Sequence, residues 1–118
     1  MTGRFDSFFL CYCEYCQKDT GSAHAANLFS RSAVLSWLAG SENVCTYQLS
    51  GTRHTNCFCR TCGSKMPAYS EATRLLTVPA GSLDSPIPIA PNAKIFLNSE
   101  ADWVKKLSLL PCFDGLPT

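Results

Sequence analysis

The stretch Cys11-Tyr-Cys-Glu-Tyr-Cys16 carries three cysteines with the spacing C-x-C-x-x-C, and it decides how the chain is interpreted. The same spacing occurs again at Cys57, Cys59 and Cys62, so two cysteine triplets hold six of the eight cysteines. No basic start, apolar run and small-residue cleavage site occur in order before Cys11, which predicts a cytoplasmic protein. In that reducing compartment, clustered cysteines are more often metal ligands or reactive thiols than disulfide partners.

The first triplet has the chemistry of a catalytic zinc site. Thiolates from Cys11, Cys13 and Cys16 would occupy three tetrahedral positions on zinc and leave the fourth for water or a substrate thiol. The alternative is a set of reduced core thiols or redox cysteines. His24 and His54 are weaker candidates for a fourth ligand, because a single histidine is more often a hydrogen-bonded structural residue.

The second triplet ends in a typical metal knuckle. Cys59 and Cys62 have the spacing at which a tight turn aims two sulfurs at one ion, and Gly63 supplies the backbone freedom that such a turn needs. The remaining cysteines stand alone in the sequence. Cys45 is most simply a small core residue, and Cys112 is either buried or adventitious.

The charge balance limits the possible partners. Ten Lys and Arg side chains face nine Asp and Glu, which gives a net charge of +1 and predicts no nucleic-acid partner. The longest apolar stretches, around residues 33–39 and 75–80, are far shorter than the roughly 20 residues of a membrane-spanning helix. The cations nearest the triplets in sequence are Lys18, Arg53, Arg60 and Lys65. They are candidates to balance thiolate charge, with ordinary solvated side chains as the alternative.

Apolar alternation and turn signals predict a mainly β fold, a single compact domain of short antiparallel strands over residues 1–118. The predicted strands are residues 5–13, 32–39, 44–49, 53–59, 74–79 and 94–98, although 32–39 also suits a short helix. One or two helical turns follow Cys16 and end at Gly21, and another helical turn is expected within 99–106. Prolines at 86, 88 and 91 exclude a helix there. Trp37 and Trp103 are expected in the core.

Several motifs in order resemble the glutathione-dependent formaldehyde-activating enzyme family (centromere protein V-like). The segment from Cys11 to Ser22 is similar to the family's C-x-C-x-x-C-R-K-x-T-G-S motif. Later matching segments are Trp37-Leu-Ala-Gly40, Tyr47, Phe58-Cys59-Arg-Thr-Cys62-Gly63-Ser64, Ala80-Gly81-Ser82-Leu83-Asp84 and Ala101-Asp-Trp103. The resemblance covers about residues 8–105, and the succession of motifs is far more specific than any one of them.

This resemblance implies a β-tent-like zinc fold in which Cys11, Cys13 and Cys16 hold the catalytic zinc. It also implies a carbon–sulfur lyase-type reaction on glutathione and a small aldehyde, in which S-hydroxymethylglutathione is formed or cleaved. Lys18 is the expected contact for a glutathione carboxylate. No general base is evident among these residues. The alternative is a non-catalytic, zinc-stabilised protein-binding module of the same fold.

One departure from the family pattern concerns the second triplet. Family members usually begin with a strand carrying G-x-C-x-C-G, whose cysteines join the later C-x-x-C in a four-sulfur structural zinc site. Here Cys59 and Cys62 match only the later half, so we expect that site to be absent or rebuilt with Cys57. A wrongly assigned start codon would also explain the difference. A homodimer is a possible cover for the edge strand exposed without that segment.

Overall fold

The computed structural model describes residues 1–117, and strands dominate it. In chain order its strands and its α-helix are β1 (Ser7–Cys11), α1 (Glu14–Thr20), β2 (Ala25–Ser30), β3 (Val44–Gln48), β4 (Thr55–Cys59), β5 (Ala68–Ser70), β6 (Leu75–Pro79) and β7 (Ala93–Ile95). Short 3₁₀ turns cover Ser41–Asn43, Ala80–Ser82, Leu97–Ser99, Asp102–Val104 and Leu107–Leu109. The predicted mainly β fold is confirmed.

The strands form a five-stranded sheet with the order β5-β6-β2-β1-β7 and a separate hairpin of β3 and β4. Every pair in these sheets is antiparallel except β1 with β7, which is parallel and sets Cys11 opposite Ile95. A parallel pair requires a long connection. Here nearly the whole domain lies between the two strands, so β7 can enter beside β1 in the same direction.

The core lies on one face of the large sheet. Phe8, Leu28 and Val78 are paired across β1, β2 and β6 in one row, and all three are buried. Leu76 and Ala80 complete this cluster. Burying side chains of this size stabilises a fold by about 1.5–3 kcal/mol each, so this row fixes the register of the sheet. Since β1 ends at Cys11, the same register fixes where the first triplet begins.

The predicted hairpin and several other elements are confirmed. Strands β3 and β4 lie within the predicted ranges 44–49 and 53–59, β6 within 74–79, and a single helical turn occurs within 99–106. The predicted strand 94–98 is shorter. It ends because Phe96 adopts a left-handed conformation with φ of 55°, and a 3₁₀ turn follows.

Two expectations about residues 32–39 and the tryptophans are wrong. Residues 32–39 contain no strand, and their one β-bridge joins Val34 to Thr2. The apolar composition of that segment is compatible with a strand, but β2 already pairs on both sides and leaves it no neighbour. Trp37 and Trp103 are 40% and 60% exposed and therefore lie outside the core.

None of the helices in residues 1–117 combines the length and the apolar composition of a membrane-spanning segment.

Candidate metal centre

The first triplet lies where β1 ends and α1 begins. Cys11 is the last residue of β1, Cys13 is the N-cap of α1, and Cys16 lies in the first turn of that helix. The predicted strand 5–13 therefore ends two residues early, and the predicted helix begins before Cys16 rather than after it. Tyr12 is buried between the first two cysteines, and its N–H donates to the Ile95 carbonyl at 3.0 Å.

Local backbone geometry brings the three sulfurs together. Residues two apart in an extended segment project to the same side, which aligns Cys11 with Cys13. The Cys13 Sγ then accepts a hydrogen bond from the Cys16 N–H at 3.4 Å, as an N-cap side chain does. As a result, the Sγ atoms of Cys11, Cys13 and Cys16 all lie within 4.8 Å of one another.

Two residues hold the short helix in place. Gly21 closes α1 in the left-handed conformation, with φ of 61°, and its N–H donates to the Gln17 carbonyl at 2.8 Å. The Gln17 side-chain amide donates to the Tyr12 carbonyl at 2.8 Å and to the Ser99 carbonyl at 3.0 Å. The helix that carries Cys16 is thereby fixed to the end of β1 and to the segment after β7.

The three thiols of the first triplet differ in acidity. Burial raises the pKa of Cys11, and burial together with hydrogen bonds and repulsion from the other two sulfurs raises the pKa of Cys16 still further. Cys13 is also partly buried, but the Cys16 backbone N–H and the neighbouring thiols stabilise its thiolate, so its pKa is lowered. Cys13 is therefore the sulfur that ionises most readily.

The donor set fits a zinc ion. Zinc–sulfur bonds of about 2.3 Å in a tetrahedral site put the sulfurs about 3.8 Å apart, and the observed upper limit of 4.8 Å requires only a small adjustment. No His, Cys, Asp or Glu among residues 1–117 adds a fourth donor to this group. Three protein ligands and a free position are the usual composition of a catalytic zinc site.

The second triplet does not form a comparable group within the described residues. Cys57 is buried in β4, and its thiol donates to the Pro67 carbonyl at 3.4 Å. Cys59 and Cys62 form the predicted knuckle: the Gly63 N–H donates to the Cys59 carbonyl at 2.7 Å, and Gly63 has φ of 77°. Metal binding by Cys57, Cys59 and Cys62 thus stays a prediction, and their arrangement differs from that of the first triplet.

The knuckle leaves Cys62 accessible and acidic. Its side chain is exposed, and a hydrogen bond to the Ser64 hydroxyl at 3.3 Å is the first of several contacts that lower its pKa. The two isolated cysteines are free thiols, with Cys45 partly buried and Cys112 exposed.

A cavity of about 1060 Å³ lies beside the first triplet, and Cys16 is part of its wall. Its volume is just above the range of about 300–1,000 Å³ that is typical of small-ligand sites. Of the lysines and arginines in residues 1–117, Arg53 and Lys65 line it. Lys18, the predicted substrate contact, is exposed on α1 and does not line it.

The same cavity wall contains a polar pair that the sequence does not reveal. Asp19 Oδ2 lies 2.6 Å from His54 Nε2, and the Lys65 Nζ lies 3.5 Å from the same oxygen. Asp19 and His54 are 35 residues apart, so sequence spacing gives no signal for their contact. His24, by contrast, packs its ring against Tyr12 with centroids 4.9 Å apart, and its Nδ1 is buried without a partner among the described residues.

Comparison with known proteins agrees with this geometry. A search of the curated proteins finds no match to the chain. A family model described as "Glutathione-dependent formaldehyde-activating enzyme" matches residues 1–99, which include both cysteine triplets and all seven strands. The chain therefore belongs to the glutathione-dependent formaldehyde-activating enzyme family.

Proposed function

We propose that this protein is a zinc-dependent, carbon–sulfur lyase-like enzyme that forms or cleaves S-hydroxymethylglutathione, the adduct of glutathione and formaldehyde. The observation that carries the proposal is the first triplet, whose three thiols converge within 4.8 Å without a fourth His, Cys, Asp or Glu donor from residues 1–117. A zinc ion that only stabilises a fold has four protein ligands. The donor set therefore favours an enzyme over a non-catalytic, zinc-stabilised binding module.

In this proposal Cys11, Cys13 and Cys16 hold the zinc ion beside the cavity. Zinc bound there would supply Lewis acidity and keep a substrate thiol deprotonated near neutral pH. The protein itself determines where the substrate binds relative to the triplet. Because Cys16 lies in the cavity wall, a thiol substrate can approach the triplet from a space large enough for a tripeptide.

Cationic side chains in the same cavity support a substrate with carboxylates. Glutathione has two carboxylates, and Arg53 and Lys65 both line the space next to Cys16. Lys65 already contacts Asp19 and donates to the Asn56 side chain at 2.7 Å, whereas Arg53 is exposed. We therefore propose Arg53 as the first carboxylate contact, and Lys18 stays a second candidate. The free thiols agree with our proposal of a reducing, cytoplasmic location.

The test combines metal analysis with exchange kinetics. The protein is purified under reducing conditions without chelator, and zinc per chain is measured for the unmodified protein, Cys16→Ser and the control Cys112→Ser. Cys112 is an exposed cysteine outside both triplets. Exchange NMR then measures how fast glutathione and formaldehyde interconvert with their adduct, relative to the spontaneous rate. We expect both zinc and acceleration in the unmodified protein and in Cys112→Ser, and the loss of both in Cys16→Ser.

Either of two results would contradict the proposal. If the unmodified protein binds no zinc, the triplet lacks the proposed cofactor. If it binds zinc but exchange stays at the spontaneous rate, the binding-module alternative is favoured.

A further inference from the structure

The pair formed by Asp19 and His54 occupies the wall of the cavity that also contains Cys16. Asp19 follows Cys16 by three residues in α1, so the two side chains lie one turn apart on the same face of the helix. His54 comes from the turn before β4. The pair is therefore assembled from two elements that meet beside the first triplet.

The imidazole ring of His54 is held in a defined orientation. Its Nε2 contacts Asp19 Oδ2 at 2.6 Å, and its ring stacks on Tyr15 with centroids 5.2 Å apart and an interplanar angle of 30°. A carboxylate at Nε2 selects the tautomer that carries its proton on that nitrogen. The other nitrogen, Nδ1, has no hydrogen bond within residues 1–117, and it is not among the buried unpaired atoms there. The free nitrogen is therefore an accessible proton acceptor.

The surroundings of the pair are charged but balanced. The Asp19 carboxylate also forms an ion pair with Lys65, whose Nζ lies 3.5 Å from Oδ2. The side chains of His54, Asp19 and Lys65 are only 21%, 14% and 27% exposed. The other titratable or charged groups next to the ring or in the cavity wall are Tyr15, Cys16, Arg53, Cys57 and Tyr69. A purely structural pair would fasten the hairpin to α1 equally well, so the experiment must separate fastening from proton transfer.

The proposed reaction needs a residue of this kind. When a thiol adds to formaldehyde, the S–H proton leaves sulfur, and the former carbonyl oxygen gains a proton. A positioned histidine that accepts and then returns one proton accelerates such a step by about 10²–10⁴-fold. The cysteines of the triplet are expected to hold the metal, which leaves this task to another group.

We propose that His54 is the proton-transfer residue of this reaction and that Asp19 is its positioning residue. This inference depends on the proposed function. His54 Nδ1 accepts the thiol proton, the sulfur electron pair forms the C–S bond, and the C=O π pair moves to oxygen. His54 then returns the proton to that oxygen, giving the hydroxymethyl product without any external oxidant or reductant. Cleavage of the adduct follows the same steps in reverse.

The first test is His54→Gln in the zinc-loaded protein. The glutamine amide can still donate to Asp19, so the hairpin stays fastened, but it cannot accept and return a proton. We expect the accelerated exchange rate to fall by about 10²-fold. Zinc content and glutathione binding, measured by calorimetry, should stay unchanged. His54→Ala should lose activity similarly and regain part of it when imidazole is added.

His24→Gln is the matched control. His24 also stacks on a tyrosine beside the triplet, but it is outside the cavity wall formed by Cys16 and His54. We expect its exchange rate to stay near that of the unmodified protein after correction for the folded fraction. Asp19→Asn should retain zinc and reduce the rate by about 10- to 100-fold, because the ring loses the group that fixes its tautomer.

A second measurement needs neither metal nor turnover. Long-range ¹H–¹⁵N correlation NMR of the zinc-free protein should show the His54 proton on Nε2, and Asp19→Asn should shift the ring toward the other tautomer. A proton on Nδ1 in the unmodified protein would overturn the inference. So would a His54→Gln variant that exchanges at the full rate with zinc and glutathione bound. Absence of zinc or of accelerated exchange in the unmodified protein would instead contradict the proposed function.

Discussion

The two cysteine triplets have the same spacing and fold differently. In the first, a strand ends at Cys11 and a helix begins after Cys13, so three sulfurs point to one place. In the second, Cys57 lies inside β4 and Cys59 is its last residue, and the buried Cys57 thiol donates a hydrogen bond to the Pro67 carbonyl. The same spacing therefore gives a three-sulfur group where the strand ends at the first cysteine and a helix begins after the second, and a two-sulfur knuckle where the strand continues to the second cysteine.

The largest expected difference is in the zinc content of two variants, each of which replaces the first cysteine of one triplet by serine. Cys11→Ser should lose about one zinc ion per chain, because two remaining thiols cannot hold the ion tightly. The proposed exchange activity should fall by about 10²-fold or more with it. Cys57→Ser should keep its zinc and instead lower the melting temperature, because it places a hydroxyl in a buried site. Metal analysis and thermal unfolding of both variants check this.

The opposite zinc contents are expected for the two variants if Cys57 joins Cys59 and Cys62 in a structural metal site. Loss of zinc from Cys57→Ser, with an unchanged content in Cys11→Ser, would show that the second triplet is the metal centre. Cys59→Ser extends the comparison, since it should mainly destabilise the fold if the knuckle binds metal. Unaltered melting behaviour and metal content in that variant would argue against a metal at the knuckle.

The next prediction concerns the pH dependence of zinc binding to the first triplet. The pKa values of Cys11 and Cys16 are raised, so both thiols are protonated at neutral pH in the metal-free protein, while Cys13 is the more acidic. Binding must therefore release at least two protons, from Cys11 and Cys16, and the association constant should fall at least about a hundredfold for each unit by which the pH is lowered. Calorimetry in buffers of different ionisation enthalpy measures the number released. Release of no protons would contradict the assignment of these thiols as ligands.

A smaller difference is expected in thiol reactivity. In metal-free protein, Cys62 should react with iodoacetamide about tenfold faster than Cys16, because its pKa is lowered and it is exposed, whereas burial raises the pKa of Cys16. Timed alkylation followed by mass spectrometry measures both rates in one sample. Ser64→Ala removes the hydroxyl that contacts the Cys62 thiol and should slow that cysteine alone. Faster labelling of Cys16 than of Cys62 would contradict the acidities assigned to the two triplets.

Local patterns explain why much of the fold is predictable. The hairpin of β3 and β4 follows from alternation and from turn residues within a short segment, and the end of α1 follows from Gly21. The first triplet is also predictable as a candidate metal site, because its three cysteines lie within six residues. Cys13 as a helix N-cap is not, since the apolar run before it suggests that the strand continues.

Features that depend on distant contacts are not predictable in the same way. Residues 32–39 have strand-like composition, but β2, the strand that precedes them, already pairs with β1 and β6 on its two sides. The contact of Asp19 with His54 joins α1 to the hairpin through tertiary packing. The size of Trp37 and Trp103 favours a place in the core, yet the core is already filled by Phe8, Leu28, Leu76 and Val78.

The smallest expected effect is a difference in melting temperature between two Gly→Ala variants. Gly63 closes the knuckle with φ of 77°, and a methyl group at its Cα would meet no other atom within 4 Å, so Gly63→Ala would add backbone strain without any clash. That strain should cost about 1 kcal/mol of unfolding free energy, or about 4–8 °C in melting temperature for a domain near 100 residues. Gly81→Ala is the control, because Gly81 has equally open surroundings and no left-handed φ. Equal melting temperatures for the two variants would mean that the knuckle relaxes freely, and a backbone that relaxes freely could not hold Cys59 and Cys62 ready for a metal.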